Sequence, residues 1–323
     1  MEAVRRAVID VGTNSIKLLV ADIAGRQVDP VCEESQQTRL GEGFYDTHRL
    51  QPGPIAKTGR AVADFAAKAR EHKAAAVRVI ATSAARDAVN AAELTSAIEQ
   101  ASGLKVEIIS GDQEADWVFQ GVTTDPALAR EPLLLLDVGG GSTEFILGQG
   151  AEKHFRKSFP LGTVRLLAKL SPGDPPKPEE LTTCRQWVRE FLQTKVKPSL
   201  DTAIQREVKR HANQGHAQLV GTGGTASILG GMEAKLDSFD RQRLEATRLS
   251  LERVRWQVER LWSLPLEKRK EITGLPPNRA DVILTGAVIY EGVLEEFGFG
   301  ELRISTRGLR FAAVMADGGK ESE

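Results

Sequence analysis

Residues 133–148, LLLLDVGGGSTEFILG, decide how the rest of the chain is read. Four leucines lead to Asp137, three glycines follow Val138, and Ser142-Thr143-Glu144 open a second apolar run. Short apolar runs on either side of a turn predict a buried β-hairpin. A tight hairpin needs only one or two residues that tolerate positive φ. Three glycines behind a carboxylate go further, because backbone N–H groups without a Cβ in the way form a nest for an anion. The acid beside that nest repels phosphate unless a cation stands between them, which points to Mg²⁺ or a relative carrying waters.

The pattern occurs twice. Residues 7–23 read AVIDVGTNSIKLLVADI, and an offset of 127 residues places Asp10 on Asp137, Val11 on Val138, Gly12 on Gly139 and Ser15 on Ser142 without a gap. Solenoid repeats run to about 20–50 residues, so a spacing this long predicts two related halves, each opening with a hairpin. A third stretch, QLVGTGGTASILGG at residues 218–231, reads as a strand, a glycine turn and a helix starting near Thr225 or Ala226. That order aims helical N–H groups and the positive end of a helix dipole at the turn. GxxxxGK[ST] is absent and no clean dinucleotide fingerprint occurs, which excludes a P-loop NTPase and disfavours a Rossmann site.

Between these stretches, helical spacing covers residues 56–72, a strand runs over 77–81, and a turn at Thr82-Ser83 leads to a helix carrying Arg86. GLKVEIIS follows as a strand and GDQEADWVFQGV as a helix, so the chain is α/β with a largely parallel sheet. Ser110 and Gln113 form an S-x-x-Q capping box, which on local grounds makes Glu114 one more first-turn acid. After Thr163 the sequence turns more helical, with a proline-rich loop at 171–180 and helices through Arg260 and over 279–297. The end after Gly318-Gly319 is expected to fray.

The 323 residues predict about two domains. A net charge of −1 offers no broad basic field for nucleic acid or membrane, so an anionic ligand needs a local cradle. Cys32 and Cys184 lack CxxC spacing, which disfavours zinc and a disulfide framework and suits a reducing cytoplasm. No leader pattern opens the sequence, and no apolar run approaches the roughly 18 residues of a membrane helix, so the expected setting is cytosolic. His48, His72, His154, His211 and His216 show no metal spacing, and HExxH and GxSxG are absent. Arg5-Arg6, Lys195 with Lys197, and Lys268-Arg269-Lys270 read as solvated surface, with guidance of a polyanion as the alternative.

In order, VIDVGTNSIKLLV, ATSAARDA, IISGDQEA, LLLDVGGGSTEF and GTGGTAS resemble the exopolyphosphatase/guanosine pentaphosphate phosphohydrolase (Ppx/GppA) family, from residue 7 to about 310. The resemblance implies the actin/Hsp70/sugar-kinase (ribonuclease H-like) fold, two duplicated domains facing a cleft. It divides them as 1–125 with about 305–323, and 126–304. It places a catalytic glutamate at Glu114 and a cleft arginine at Arg86. Phosphate loops fall on Thr13-Asn14-Ser15, on Gly139-Gly140-Gly141-Ser142 and on Gly223-Gly224-Thr225. The acids handling metal, Mg²⁺ or Mn²⁺, are Asp137 and Glu144, with Asp10 beside them from the hairpin reading. Gln113 departs from the glutamate many members carry there, and the helical HD-type module of longer members is not expected. The implied activity is release of terminal phosphate from inorganic polyphosphate. Hydrolysis of guanosine pentaphosphate to the tetraphosphate is the alternative, as is a non-catalytic polyphosphate or alarmone regulator. No base-stacking aromatic stands out among the 5% aromatic residues, which favours polyphosphate. A homodimer is expected from family habit.

Overall fold

The structure, a computed structural model, describes residues 3–210 and 217–316. His211, His216 and the end after Gly318-Gly319 lie outside the described residues. The chain divides into two compact units, Met1–Thr124 with Arg307–Glu323, and Asp125–Thr306.

The first unit opens with β1 (Val4–Val11), β2 (Ser15–Ala24) and β3 (Gln27–Gln37), joined by tight turns. Then come α1 (Pro52–Glu71), β4 (Ala76–Ala81), α2 (Ser83–Arg86), α3 (Ala91–Ser102), β5 (Val106–Ile108) and α4 (Gly111–Val122). The sheet runs β3-β2-β1-β4-β5. β1 is antiparallel to β2 and β2 to β3, whereas β1–β4 and β4–β5 are parallel. The sheet is therefore mixed rather than largely parallel, because the hairpins that carry the glycine turn leave no room for a crossover. Ala7 to Val11 are all buried, since α1 and α3 pack toward one face and the C-terminal helix Leu309–Met315 covers β1 and β2 as well. Burial on both faces is why Ala7, Val8 and Ile9 read as a continuous apolar run rather than an alternation. The C-terminal helix also lies on α4, so closely that a Cβ at Gly121 would sit 2.0 Å from the Gly308 carbonyl oxygen.

The second unit contains α5 (Pro126–Ala129), β6 (Leu133–Val138), β7 (Thr143–Gln149), β8 (Glu152–Phe159) and α6 (Thr163–Leu170). α7 (Pro178–Phe191) runs through a π turn into α8 (Lys197–Arg210), followed by β9 (Gln218–Thr222), α9 (Gly223–Ala234) and α10 (Arg241–Ala246). The unit ends with β10 (Arg248–Ser250), α11 (Leu251–Ser263), α12 (Leu266–Arg269), α13 (Ile283–Phe297) and β11 (Glu301–Ile304). Its sheet runs β10-β11-β9-β6-β7-β8. Read from β8, the first five strands repeat the order and pairing senses of the first sheet, and β10 adds an antiparallel edge. The offset of 127 residues thus marks duplication of a whole sheet. α13 begins at Ile283, later than the sequence pattern predicts, because Pro276 and Pro277 hold a short 3₁₀ turn through Arg279. Its first nine residues are all buried, which makes it the central helix of the core.

Candidate active site

The second unit carries the glycine turn between β6 and β7. Asp137 stands directly opposite Glu144, Ser158 of β8 opposite Glu144, and Thr222 of β9 beside Asp137. Residues opposite each other on neighbouring strands share a face, so four polar side chains form a row across the sheet. Glu144 is buried at 1% exposure, and its Oε1 accepts from Ser142 Oγ at 2.8 Å and Ser158 Oγ at 2.7 Å.

The turn is tied down from behind. The Gly139 carbonyl accepts from Thr163 N at 2.9 Å, that of Gly140 from Val164 N and Arg165 N at 2.9 and 3.1 Å, and that of Gly141 from Arg165 Nε at 2.8 Å. Across a trans peptide the C=O and the following N–H point in opposite directions. The N–H groups of Gly140, Gly141 and Ser142 therefore face away from α6. Gly162 permits this approach, since a Cβ there would lie 2.4 Å from the Gly140 oxygen.

The first unit repeats the device with other residues. Gly12 N donates to Ser15 O at 3.1 Å, as Gly139 N does to Ser142 O at 2.9 Å. The Thr13 carbonyl accepts from Gly41 N at 2.7 Å, and that of Asn14 from Thr38 N and Arg39 N at 3.2 and 2.9 Å. Arg39 adopts φ 54°, a left-handed conformation that wraps the segment behind the turn. Three buried polar atoms here have no hydrogen-bond partner in the protein: Asp10 Oδ1, Asn14 Nδ2 and Ser15 Oγ. Buried polar atoms are nearly always satisfied, so three orphans at one turn call for an occupant. Burial pushes the Asp10 carboxyl above its ordinary pKa, opposed by Lys17, its cross-strand neighbour, and by Arg310.

The third turn opens α9 at Gly223, earlier than the sequence pattern predicts, with Thr222 at the N-cap. Thr225 caps nothing; its Oγ1 donates to the Val138 carbonyl at 2.8 Å and ties this turn to the second. Gly223 has φ 78°, and a Cβ there would fall 2.1 Å from Asp137 Oδ1, so the carboxylate abuts the turn. Tyr290 supports the arrangement from beneath, its hydroxyl donating to the Leu136 carbonyl at 3.4 Å; burial, then Asp137, raises its pKa.

Among the described residues no group of three or more His, Cys, Asp or Glu side chains is placed to hold a metal. Asp137 and Glu144 are nonetheless a facing carboxylate pair beside an anion cradle. That donor set fits Mg²⁺, which takes one or two carboxylates and leaves its other positions to water and phosphate. Asp10 differs, since the residue it faces is a lysine.

Glu114 lies in the first turn of α4. Ser110 Oγ accepts from Gln113 N at 3.1 Å, but the Gln113 side chain reaches Glu107 at 3.4 Å, so the expected capping box is half formed. Glu114 itself is buried at 8% exposure, and its Oε2 accepts from Arg86 Nη1 at 3.0 Å. Arg86 also donates to the Ile109 carbonyl at 3.1 Å. An acid inside the protein with a fixed guanidinium partner is not the solvated first-turn acid of the local reading. The structure brings these two residues together, as it does Asp137, Glu144 and the second and third turns. The basic runs largely find partners, Arg5 on Asp22, Lys197 on Glu296, Lys268 on Glu271 and Lys270 on Glu267. Lys17, Ser158, Gly162, Tyr290 and the 38–41 clamp escaped the sequence reading; only Gly162, next to the Thr163 boundary, left a local signal.

Two related α/β sheets, each with a cradle at its first hairpin turn, define a protein of the actin/sugar-kinase class. The chain belongs to the Ppx/GppA phosphatase family, whose model matches residues 19–317. It is 34% identical over 318 residues to exopolyphosphatase 2 of Mycobacterium tuberculosis, covering 94% of this chain and 96% of that one. It is 28% identical over 310 residues to guanosine-5'-triphosphate,3'-diphosphate pyrophosphatase of Photobacterium profundum, covering 95% of this chain and 58% of that one. The solved PPX-GPPA enzyme of Aquifex aeolicus superposes with a TM-score of 0.76 at 28% identity, over 98% of this chain and 100% of that one.

Proposed function

We propose that the protein is an exopolyphosphatase that releases orthophosphate from the ends of inorganic polyphosphate. The supporting observation is the twice-built turn, with its carbonyls tied off behind and its N–H groups turned the other way, beside three unsatisfied buried polar atoms in the first copy. Thr13 to Ser15, Gly139 to Ser142 and Gly223 to Thr225 hold phosphate oxygens through backbone N–H groups. Asp137 and Glu144 hold the divalent ion, and Asp10 offers its unpartnered oxygen to an ion or water at the first turn. When bound, Mg²⁺ or Mn²⁺ offsets charge on the transferring group. Glu114, fixed by Arg86, orients a water and takes its proton as the oxygen attacks the terminal phosphorus. The P–O bond to the bridging oxygen breaks, and that oxygen leaves on the shortened chain. Arg86 stabilises charge on the phosphoryl oxygens.

The relative from Photobacterium supports a second reading with the same chemistry on guanosine pentaphosphate. Phosphate release measured side by side separates the two, with faster turnover of long-chain polyphosphate expected; preference for the nucleotide replaces the first reading with the second. Release from neither leaves a binding regulator. The proposal includes a cytoplasmic homodimer, which light scattering checks for subunit number. No helix among the described residues is long and apolar enough to cross a membrane.

A further inference from the structure

In the first hairpin turn one residue is held at both backbone and side chain. Asn14 is buried, and its carbonyl accepts from Thr38 N and Arg39 N. The residue just before that pair reaches the side chain: Gln37 Nε2 donates to Asn14 Oδ1 at 3.1 Å. It can do so because the β2–β3 register sets Gln37 opposite Ser15, and facing residues on neighbouring strands share a face. A carboxamide carries an acceptor oxygen at one end and a donor nitrogen at the other. With the oxygen taken, the end left over is Asn14 Nδ2, which has no hydrogen-bond partner in the protein.

The direction of that amide decides what the turn can accept. An amide free to rotate about its last bond presents either end, since that torsion is broad and roughly two-fold. Only the nitrogen end suits an anion; the reversed amide sets oxygen lone pairs against it. A buried donor left unpaired is unfavourable, so the held orientation favours the arrival of an acceptor. Ser15 Oγ, on the strand facing Gln37, is a second buried group without a partner and can donate as well. The second unit has no such device. Ser35 faces Lys17 as Ser158 faces Glu144, but two residues on from Ser35 stands Gln37, and two on from Ser158 stands Pro160, whose ring donates nothing.

We propose that Gln37 is a positioning residue: by holding Asn14 Oδ1 it turns the amide nitrogen toward the first turn's occupant and makes that turn selective for a phosphate oxygen. The inference rests on reading the first turn as a phosphate site. Gln37 acts through Asn14 and touches no substrate itself.

Calorimetry of the full chain with Mg²⁺ and a triphosphate whose bridging oxygens are replaced by N–H, which resists hydrolysis, tests it apart from turnover. Asn14→Ala is expected to weaken binding by roughly 10- to 150-fold, the usual worth of a hydrogen bond to a charged group. Gln37→Glu can only accept, so it draws Asn14 Nδ2 to itself and presents the oxygen instead; a loss of at least about tenfold is expected. Gln37→Met keeps the volume, is uncharged and merely frees the amide; a loss of about twofold is expected, because half of the free orientations still present the donor. In an Asn14→Ala background both Gln37 changes should have no further effect, since there is no amide left to turn. If Gln37→Glu weakens binding equally in that background, its charge acts directly and the positioning role is overturned. A Gln37→Met loss as large as that of Asn14→Ala, or no loss in either Gln37 variant, overturns it too. An analogue that fails to bind the parent, or binds Asn14→Ala as tightly, overturns instead the reading of the first turn as a phosphate site.

Discussion

Where the first hairpin carries Lys17, the second carries Glu144, 127 residues on, and each faces the acid that precedes its turn. The backbones match closely. Gly12 and Gly139 each donate to the serine three residues on, and in both copies the turn carbonyls accept from N–H groups of a following segment. The charges do not match. In the first unit Asp10 meets a cation supplied by the protein. In the second, two acids face each other, and opposed like charges are unfavourable unless something positive joins them. One backbone device therefore serves two electrostatic settings: a turn whose acid faces a lysine, and a turn whose acid faces a second acid.

The largest effect should come from outside both turns. If the hairpins hold phosphate and Glu114 drives turnover, Glu114→Gln should reduce single-turnover phosphate release by about 10²–10⁴-fold, the usual contribution of an acid–base group. Equilibrium binding of long-chain polyphosphate should survive, because neither turn is touched. A variant that binds and cleaves like the parent would return Glu114 to the status of a helix-end acid.

The facing residues give the next effect. Glu144→Gln should raise the Mg²⁺ concentration needed for half-maximal activity by at least about 10–100-fold, the loss typical of weakened metal sites. Lys17→Met, the matching change in the first hairpin, should leave the Mg²⁺ requirement within about twofold and lower the melting temperature instead, since it removes one of the two charges that counter Asp10. Equal Mg²⁺ shifts in the two variants would erase the distinction between the hairpins.

Gly162→Ala tests the clamp behind the second turn. Its Cβ would meet backbone at 2.4 Å, which no side-chain adjustment relieves, so the turn or α6 must move. A destabilisation of about 1–3 kcal/mol, the range for overpacking, should accompany weaker phosphate binding. Unchanged affinity in the folded variant would mean that the turn's N–H directions do not matter.

Much of this comparison was readable in the sequence, because a strand, an acid, a glycine turn and a serine are contiguous and each element forms locally. The duplicated α/β fold followed from matching two such stretches. The mixed sheet did not, since pairing sense depends on which strands the hairpins bring together. Nor did the start of α9, where a positive φ at Gly223 and the Asp137 carboxylate against it are set by another strand. Ser158 joins Glu144 only through the β7–β8 register, and Gly162 is required only because α6 returns to the turn. Glu114 shows the limit most clearly. A capping motif explains its position locally, and only the tertiary fold buries it against Arg86.

The smallest effect is the most direct measure of the first hairpin's self-countering. Burial raises the Asp10 pKa, and Lys17 and Arg310 oppose but do not cancel that shift. An unfolded aspartate titrates near about 3.9. Below that value both states are protonated and the group costs nothing. As pH rises through the raised folded value, the native state must bury a charge that the unfolded chain solvates freely, and stability falls. Asp10→Asn removes this titration while keeping the shape. In buffer free of phosphate and divalent ions, the variant should therefore melt above the parent at pH 7, with the gap narrowing as pH falls toward the value of the unfolded aspartate. Adding an occupant should reverse the order: if an ion or a phosphate's hydration shell uses Asp10 Oδ1, the parent should gain melting temperature with Mg²⁺ and tripolyphosphate while the variant gains less. A variant that melts below the parent at pH 7 without ligand would show that Lys17 and Arg310 outweigh burial, making Asp10 a structural ion-pair partner rather than an acid held ready for an occupant.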